Sequence, residues 1–482
     1  SIKHNMTSAN QLIAIPPINS HSYKDYSPDR FDKICLRTAT PDENTTRYTL
    51  LILDDTHSST TGRRKNTPIP QKIPCAVFLI PSGRESEYLF STKQGLTNIL
   101  TSANSRRLIA VSFHRNQQYD SQENVQNELE DVVKSLAPET LPGESSRIPF
   151  MALDGIGKRN IIGEGDGSDM TGAFVVEEVT TGDDVTLRRL YFLRNDNVIQ
   201  TECRLDKKGG VDRLYLGFEY HKSLVAGMVG LTCCDGEGGV VDGDGLVIGL
   251  GGGSLLNFLN RFVPRLSMTV VEIDGVVVDI AKNYFGFLES KIMRVVVGDG
   301  LAVRATATEG VERSQSDERL IEFPPSSMRL IAIDVDSKED SRSAMSCPPV
   351  SFIQEDYLTH MKNLLKDKNS VLAVNVSARD PKMLELVKQN MLKVFPSLFV
   401  SGGGEDDLNK VLFATKRDYM LPKNNMALVE RLHQICDENE ICDSQLRSEL
   451  EDCIVDMHRV TAPGSSEMKS KSAGGGSNAK SK

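Results

Sequence analysis

The chain has 482 residues, 56 of them Lys or Arg and 66 Asp or Glu, for a formal net charge of −10; this argues against nonspecific nucleic-acid binding and leaves room for a basic protein partner. The length provides for two or three domains with a sizeable core. Nine cysteines without a repeating spacing read as thiols of a reducing compartment, and no apolar run approaches the roughly 18 residues of a membrane helix.

The opening "SIKHNMTSANQL" lacks the basic-then-apolar order of a secretory signal. The chain begins at Ser1 and reads as a piece of something longer, with the cytoplasm as its default location. Residues 1–72 read as a polar segment and linker, apart from one strand in "RYTLLILDD" (Arg47 to Asp55) and a mobile loop in "THSSTTGRRKNTPIPQ". Residues 73–165 read as a small α/β module, with "PCAVFLIP" and "RRLIAVSF" as strands and "SQENVQNELEDVVKSL" as a helix. Over 170–235, three alternating runs, "GAFVVEEVT", "TLRRLYFLRN" and "VIQTECRL", predict an antiparallel meander, and "GFEYHKSLVAGMVGL" a helix.

From Leu246 strands and helices alternate: "GLVIGL", "SLLNFLNRFV", "SMTVVEID", "VVVDIAKNYFG", "KIMRVVVGDG", "MRLIAIDVD", "FIQEDYLTHMKNLL", "SVLAVNVSA", "PKMLELVKQNMLKVFP", "SLFVSG" and "NKVLFAT". This pattern predicts an α/β fold, a Rossmann-like doubly wound sheet over 240–445 with an antiparallel strand at its edge. Cys436 and Cys442 near His433 are spaced too widely for a usual zinc pair and read as helix residues, with no metal expected. The tail, 461–482, reads as disordered.

The stretch "LVIGLGGGSL" places Gly249, Gly251, Gly252 and Gly253 between a strand and a helix, where a ligand lies against bare main chain and a helix N-terminus. A tight turn with only a packing role is the plain alternative. Glu272, ending the next strand, has the chemistry to accept from both ribose hydroxyls, and Asp299 in "GDG" from an adenine amine. Dinucleotides and S-adenosylmethionine-like nucleosides both suit such a cradle. A dinucleotide fingerprint needs Gly or Ala where Ser254 stands, and the Gly-Asp-Gly belongs with the adenosylmethionine arrangement, so we expect S-adenosylmethionine. Asp334 and Asp336 follow the fourth strand with the spacing that puts two side chains on one face. There a carboxylate can orient an amine and relay its proton. An exposed acidic loop is the bland alternative.

Together, "VIQTECRL", "EYHKSL", "GLGGGSL", "VEID", "GDG" and "DVDSK" resemble the spermidine synthase-like methyltransferases. Longer stretches such as "IPCAVFLIPSGRESEYLFS", "VEIDGVVVDIAKNYFGF" and "DVDSKEDSRSAMSCPP" resemble the C-terminal half of the methyltransferase-like protein 13 family. The resemblance runs from about residue 45 to residue 420. It implies methylation of the N-terminal α-amine of elongation factor 1A, without nucleic acid or membrane, and without the family's lysine activity. It also implies roles: Gly249, Gly251 and Gly253 around the methionine part, Glu272 at the ribose, Ile273, Asp299 and Gly300 at the base, His221 in the cofactor site, and Asp336 as catalytic carboxylate with Asp334 beside it. The aminopropyl-transferring relatives read D-S-x-D-P, whereas this chain has "DSKED" and no proline after Asp340, which argues against polyamine chemistry. A spermidine synthase-like aminopropyltransferase and a noncatalytic scaffold remain the alternatives, and monomer versus homodimer stays open.

Overall fold

A computed structural model describes the chain except residues 1–11, 29, 39–45, 56–71, 82–84, 86–87, 115–116, 118, 120, 141–146, 153–157, 181–184, 196–197, 233–240, 307–319, 337–343, 403–408, 420, 422–424 and 462–482. The expected loop at 56–71, nearly all of the expected tail and the "SKED" segment after Asp336 therefore lie outside the described residues. The chain divides into two compact units, Ser1–Asp212 and Arg213–Lys482. The division passes between the meander and the helix that the sequence reading joins over 170–235.

The first unit holds a six-stranded sheet of β1 (Leu12–Ile15), β2 (Phe31–Thr38), β3 (Thr46–Asp54), β4 (Ala76–Leu79), β5 (Arg107–Phe113) and β6 (Phe150–Ala152), in the order β1-β2-β3-β5-β4-β6. Residues 12–54 thus supply half of this sheet, which corrects the expectation of a linker over 1–72. β3 is the strand expected in "RYTLLILDD"; in β1 and β2 the apolar residues are spread between polar ones, and burial of alternate side chains such as Ile34 and Leu36 marks β2 as a strand. The helices α1 (Tyr88–Ser91), α2 (Lys93–Ser102) and α3 (Gln122–Leu136) follow β4 and β5. Ser121 caps α3 by accepting from the Asn124 N–H, and Val125, Leu129, Val133 and Leu136 form its buried stripe. The meander has four strands, β7 (Lys158–Gly165), β8 (Phe174–Thr180), β9 (Thr186–Phe192) and β10 (Thr201–Arg204), all antiparallel. The first of them comes from the stretch assigned to the 73–165 module.

The second unit begins with α4 (Glu219–Thr232), buried on nearly every side. Its sheet contains β11 (Gly243–Ile248), β12 (Leu266–Glu272), β13 (Met293–Val297), β16 (Met328–Ile333), β17 (Met345–Cys347), β18 (Val371–Ala378), β19 (Ser397–Ser401), β20 (Asn409–Thr415) and β21 (His458–Arg459), with β14 (Val303–Ala305) and β15 (Ile321–Phe323) paired separately. Between them run α5 (Ser254–Phe262), α6 (Gly275–Tyr284), α7 (Glu355–Leu364), α8 (Pro381–Val394), α9 (Met426–Glu438) and α10 (Ser444–Val455). The main path is β13-β12-β11-β16-β18-β20-β19-β21. β11, β12, β13, β16 and β18 are parallel, and β20 is antiparallel to both of its neighbours. Of the two closing strands in the expected pattern, the antiparallel one, β20, is interior, because β19 leaves one place open beside β18 and β20 returns into it; the edge itself is the short β21, antiparallel to β19. Apolar clusters cover both faces, one with α4, α5, α9 and α10, the other with α7 and α8, the double winding expected of this strand pattern. Among the described residues no helix is long and apolar enough to cross a membrane.

Candidate active site

In an open parallel sheet the order reverses where two neighbouring strands send their connections to opposite sides, and a crevice opens at their carboxyl ends. Here that place lies between β11 and β16. After Ile248 the chain turns through the glycines, with φ of 96° at Gly249, 52° at Gly251 and 79° at Gly253. A Cβ on Gly249 would stand 2.1 Å from the Asp334 carbonyl oxygen. The reason is local: the Asp334 N–H donates to the Ile248 carbonyl at 2.9 Å, holding the two strand ends side by side. Gly249→Ala should therefore both strain the turn, by about 1–3 kcal/mol, and displace the backbone that carries Asp334; a lowered unfolding midpoint together with lost turnover is the expected result. Gly252 and Gly253 are buried and Gly251 is half-buried, and Gly253 is the N-cap of α5.

Glu272 is 6% exposed at the end of β12. One of its oxygens accepts from the Leu250 N–H at 2.9 Å and the other from the Asp274 N–H at 3.0 Å. The carboxylate thus clamps the glycine turn, a task beyond the ribose contact expected from sequence, and each oxygen keeps a second lone pair. Ile273, next along the chain, is 42% exposed. Asp299 is exposed and caps a short 3-10 turn, its carboxylate accepting from the Leu301 N–H at 2.9 Å. Gly300 is buried, and its carbonyl accepts from the Tyr357 hydroxyl at 2.9 Å. Three successive strand ends thus present bare backbone, a buried carboxylate, an apolar side chain and an exposed carboxylate, a donor and acceptor set that fits a nucleoside with a charged tail.

His221 stands apart from this set and is joined to Asp334, Nε2 to carboxylate oxygen at 3.2 Å. The other Asp334 oxygen accepts from the Asn375 Nδ2 at 2.9 Å. Tyr220 is close by: burial, then the Asp334 charge, holds its hydroxyl well above its usual range. The Phe218, Tyr220 and His221 rings pack against one another, with Tyr220 and His221 centroids 4.4 Å apart. Asp334 and Asp336 both follow the end of β16, and they differ in setting: Asp334 is half-buried, Asp336 exposed. The Asp336 charge still bears on Tyr220 and Cys347.

Sequence reasoning missed Tyr220, Asn375 and Cys347. Tyr220 adjoins His221 in a motif already singled out, and Asn375 is the lone amide in the apolar run "SVLAVNVSA". Nothing around Cys347 marks it. Burial, followed by the Asp334 and Asp336 charges, pushes its thiol well above the ordinary range, while Cys442 is exposed. In native protein iodoacetamide should label Cys442 first among the described cysteines and leave Cys347 unmodified until unfolding, as read by peptide mass spectrometry. Nearby, Cys436 is buried and His433 pairs with Glu451 at 3.0 Å; among the described residues no group of three suitable side chains is placed to hold a metal ion.

No family model matches the chain. It is 36% identical over 391 residues to an eEF1A lysine and N-terminal methyltransferase homolog of Drosophila pseudoobscura pseudoobscura, covering 79% of this chain and 53% of that protein. It is 32% identical over 433 residues to the human eEF1A lysine and N-terminal methyltransferase, covering 84% of this chain and 58% of that protein. The chain is homologous to these proteins. It spans about half the length of the curated relatives that it matches. A crystal structure of human methyltransferase-like protein 13 in complex with SAH aligns with 29% identity and a TM-score of 0.37, over 46% of this chain and 92% of that one.

Proposed function

We propose that this chain is an S-adenosylmethionine-dependent protein methyltransferase acting on the N-terminal α-amine of elongation factor 1A. The observation that carries the reading is its 36% identity, over 391 residues, to an eEF1A lysine and N-terminal methyltransferase homolog. The Asp334 cluster beside the nucleoside-type cradle supports it. A translation factor as substrate puts the reaction in the cytoplasm, without nucleic acid or membrane.

Bound S-adenosylmethionine supplies an activated methyl group: a new N–C bond forms as the C–S bond breaks, its electron pair stays on sulfur and the surplus proton leaves the nitrogen. The chain's own residues do the positioning. Gly249, Gly251, Gly252 and Gly253 admit the methionine part, Glu272 takes the ribose, and Ile273, Asp299 and Gly300 form the base end. Asp334, held by His221 and Asn375, faces the acceptor amine, with Asp336 adding negative charge at the mouth. An ammonium has no lone pair, so a fixed carboxylate serves both to orient the amine and to favour departure of its proton.

The test is incubation of the purified chain with labelled S-adenosylmethionine and a peptide carrying the elongation factor's amino terminus after methionine removal. Label on the free α-amine and none on the acetylated peptide is expected. Label only on a lysine side chain, or aminopropyl transfer to putrescine from decarboxylated S-adenosylmethionine, would overturn the reading. Glu272→Ala should weaken S-adenosylmethionine binding by tenfold or more, since a lost charged hydrogen-bond partner typically costs about 1.5–3 kcal/mol. It should also lower stability, because the buried Leu250 N–H loses its acceptor. Calorimetry and a urea midpoint separate the two effects.

A further inference from the structure

Asn375 is 4% exposed, and its Nδ2 is committed to Asp334. Its Oδ1 is buried without a hydrogen-bond partner in the protein. A buried acceptor left unmade is disfavoured by about 1–3 kcal/mol, and such atoms in native proteins are normally answered by a donor. The planar amide keeps this Oδ1 next to the nitrogen that grips Asp334, so two acceptors, a carboxylate and an amide oxygen, lie together where β16 ends beside β18. The carboxylate keeps accepting capacity beyond its bonds to Asn375 and His221, having about four lone-pair sites. A polar residue on a central strand among Val374, Val376 and Leu372, all fully buried, has no packing reason to be an amide.

We infer that Asn375 is a second acceptor for the nucleophilic nitrogen, and that Asp334 and the Asn375 Oδ1 together hold the two N–H groups of a neutral primary amine. This inference rests on the proposed amine methylation. Two N–H bonds to two fixed acceptors leave the lone pair as the only free direction on nitrogen, which sets the line of attack. Each transfer replaces one N–H by N–CH3: an unmethylated amine engages both acceptors, a monomethylated amine one, and a dimethylated amine neither. The site therefore reads hydrogen count on the nitrogen, and the contribution of Asn375 falls as methylation proceeds.

The experiment compares wild type with Asn375→Ala on three peptides of one sequence whose α-amine is unmethylated, monomethylated or dimethylated. Removing the amide also loosens Asp334, which penalises all three peptides alike, so the informative quantity is the difference between them. The loss in kcat/KM on the unmethylated peptide should exceed that on the dimethylated peptide by roughly ten- to hundredfold, with the monomethylated peptide between. In calorimetry with S-adenosylhomocysteine present, wild type should bind the unmethylated peptide more tightly than its trimethylated form, and the variant should show a smaller preference, since Asp334 still accepts one N–H. Asn375→Ser, whose hydroxyl can donate and accept, should retain part of the gradient, and it carries the comparison if the alanine variant fails to bind S-adenosylmethionine. Equal losses on all three peptides would overturn the inference and reduce Asn375 to a support for Asp334. A wild-type chain that binds S-adenosylmethionine but methylates none of the three peptides would instead bring down the functional reading beneath it.

Discussion

Asp334→Asn should lower turnover on the amino-terminal peptide by about 10²–10⁴-fold, the usual range for a positioned acid–base group, with S-adenosylmethionine affinity nearly unchanged. The substitution is close to isosteric, but the chemistry around it is not neutral. Asn375 donates its Nδ2 to one oxygen, and His221 approaches the other at 3.2 Å. An amide offers one oxygen where the carboxylate offers two, so His221 has to accept from the new amide in its other tautomer, and the negative charge that favours departure of the amine's proton is gone. The nucleoside cradle on Gly249 to Gly253 and Glu272 keeps its own contacts. Asp336→Asn removes an exposed carboxylate and is expected to lower turnover less, the reverse of the emphasis that the family motif suggests. Rates on the peptide together with calorimetric cofactor binding check both variants; an unchanged rate in Asp334→Asn, or greater damage from Asp336→Asn, would move the catalytic carboxylate to Asp336.

The largest expected loss of stability comes from the other unit. Arg107 is fully buried in β5. Its Nη2 donates to the Asp54 carboxylate at 2.8 Å, and its other guanidinium N–H groups reach the carbonyls of Leu136 at 2.7 Å and Asp25 at 2.9 Å, with Tyr23 also accepting. One side chain thereby ties β3, β5, the end of α3 and the segment before β2. Arg107→Ala leaves the Asp54 side chain, 0% exposed, with Arg30 as its remaining ion-pair partner at 3.0 Å. Breaking a buried pair by removing one partner typically costs about 3–5 kcal/mol, because the other charge stays behind. The chain has no tryptophan, so denaturant unfolding is best followed by circular dichroism. The first unit should unfold at clearly lower urea while the second keeps its midpoint; a midpoint unchanged throughout would show that the pair is replaceable.

The amino-acid sequence by itself determined the sheet of the second unit and most of its cradle. Apolar runs such as "GLVIGL" and "SMTVVEID" are long enough to be buried strands, glycines at 249, 251 and 253 are required by positive φ, and an acid at the end of β12 follows from a spacing along one chain segment. These features depend on neighbours near in sequence, so periodicity and turn chemistry reveal them. Of the strands in residues 12–54, β3 was legible in "RYTLLILDD", whereas β1 and β2 were hidden because their apolar residues are spread between polar ones and their alternation shows only once one face is covered. That His221 and Asn375 hold the Asp334 carboxylate was decided by tertiary structure alone. His221 and Asp334 are separated by 113 residues and Asp334 and Asn375 by 41, and no local pattern specifies that these side chains converge. The physical reason is that a hydrogen-bonded cluster is a property of three-dimensional packing: the parallel sheet places the end of β16 beside Asn375 in β18, α4 brings His221 to the same carboxylate, and burial then makes every polar contact there consequential.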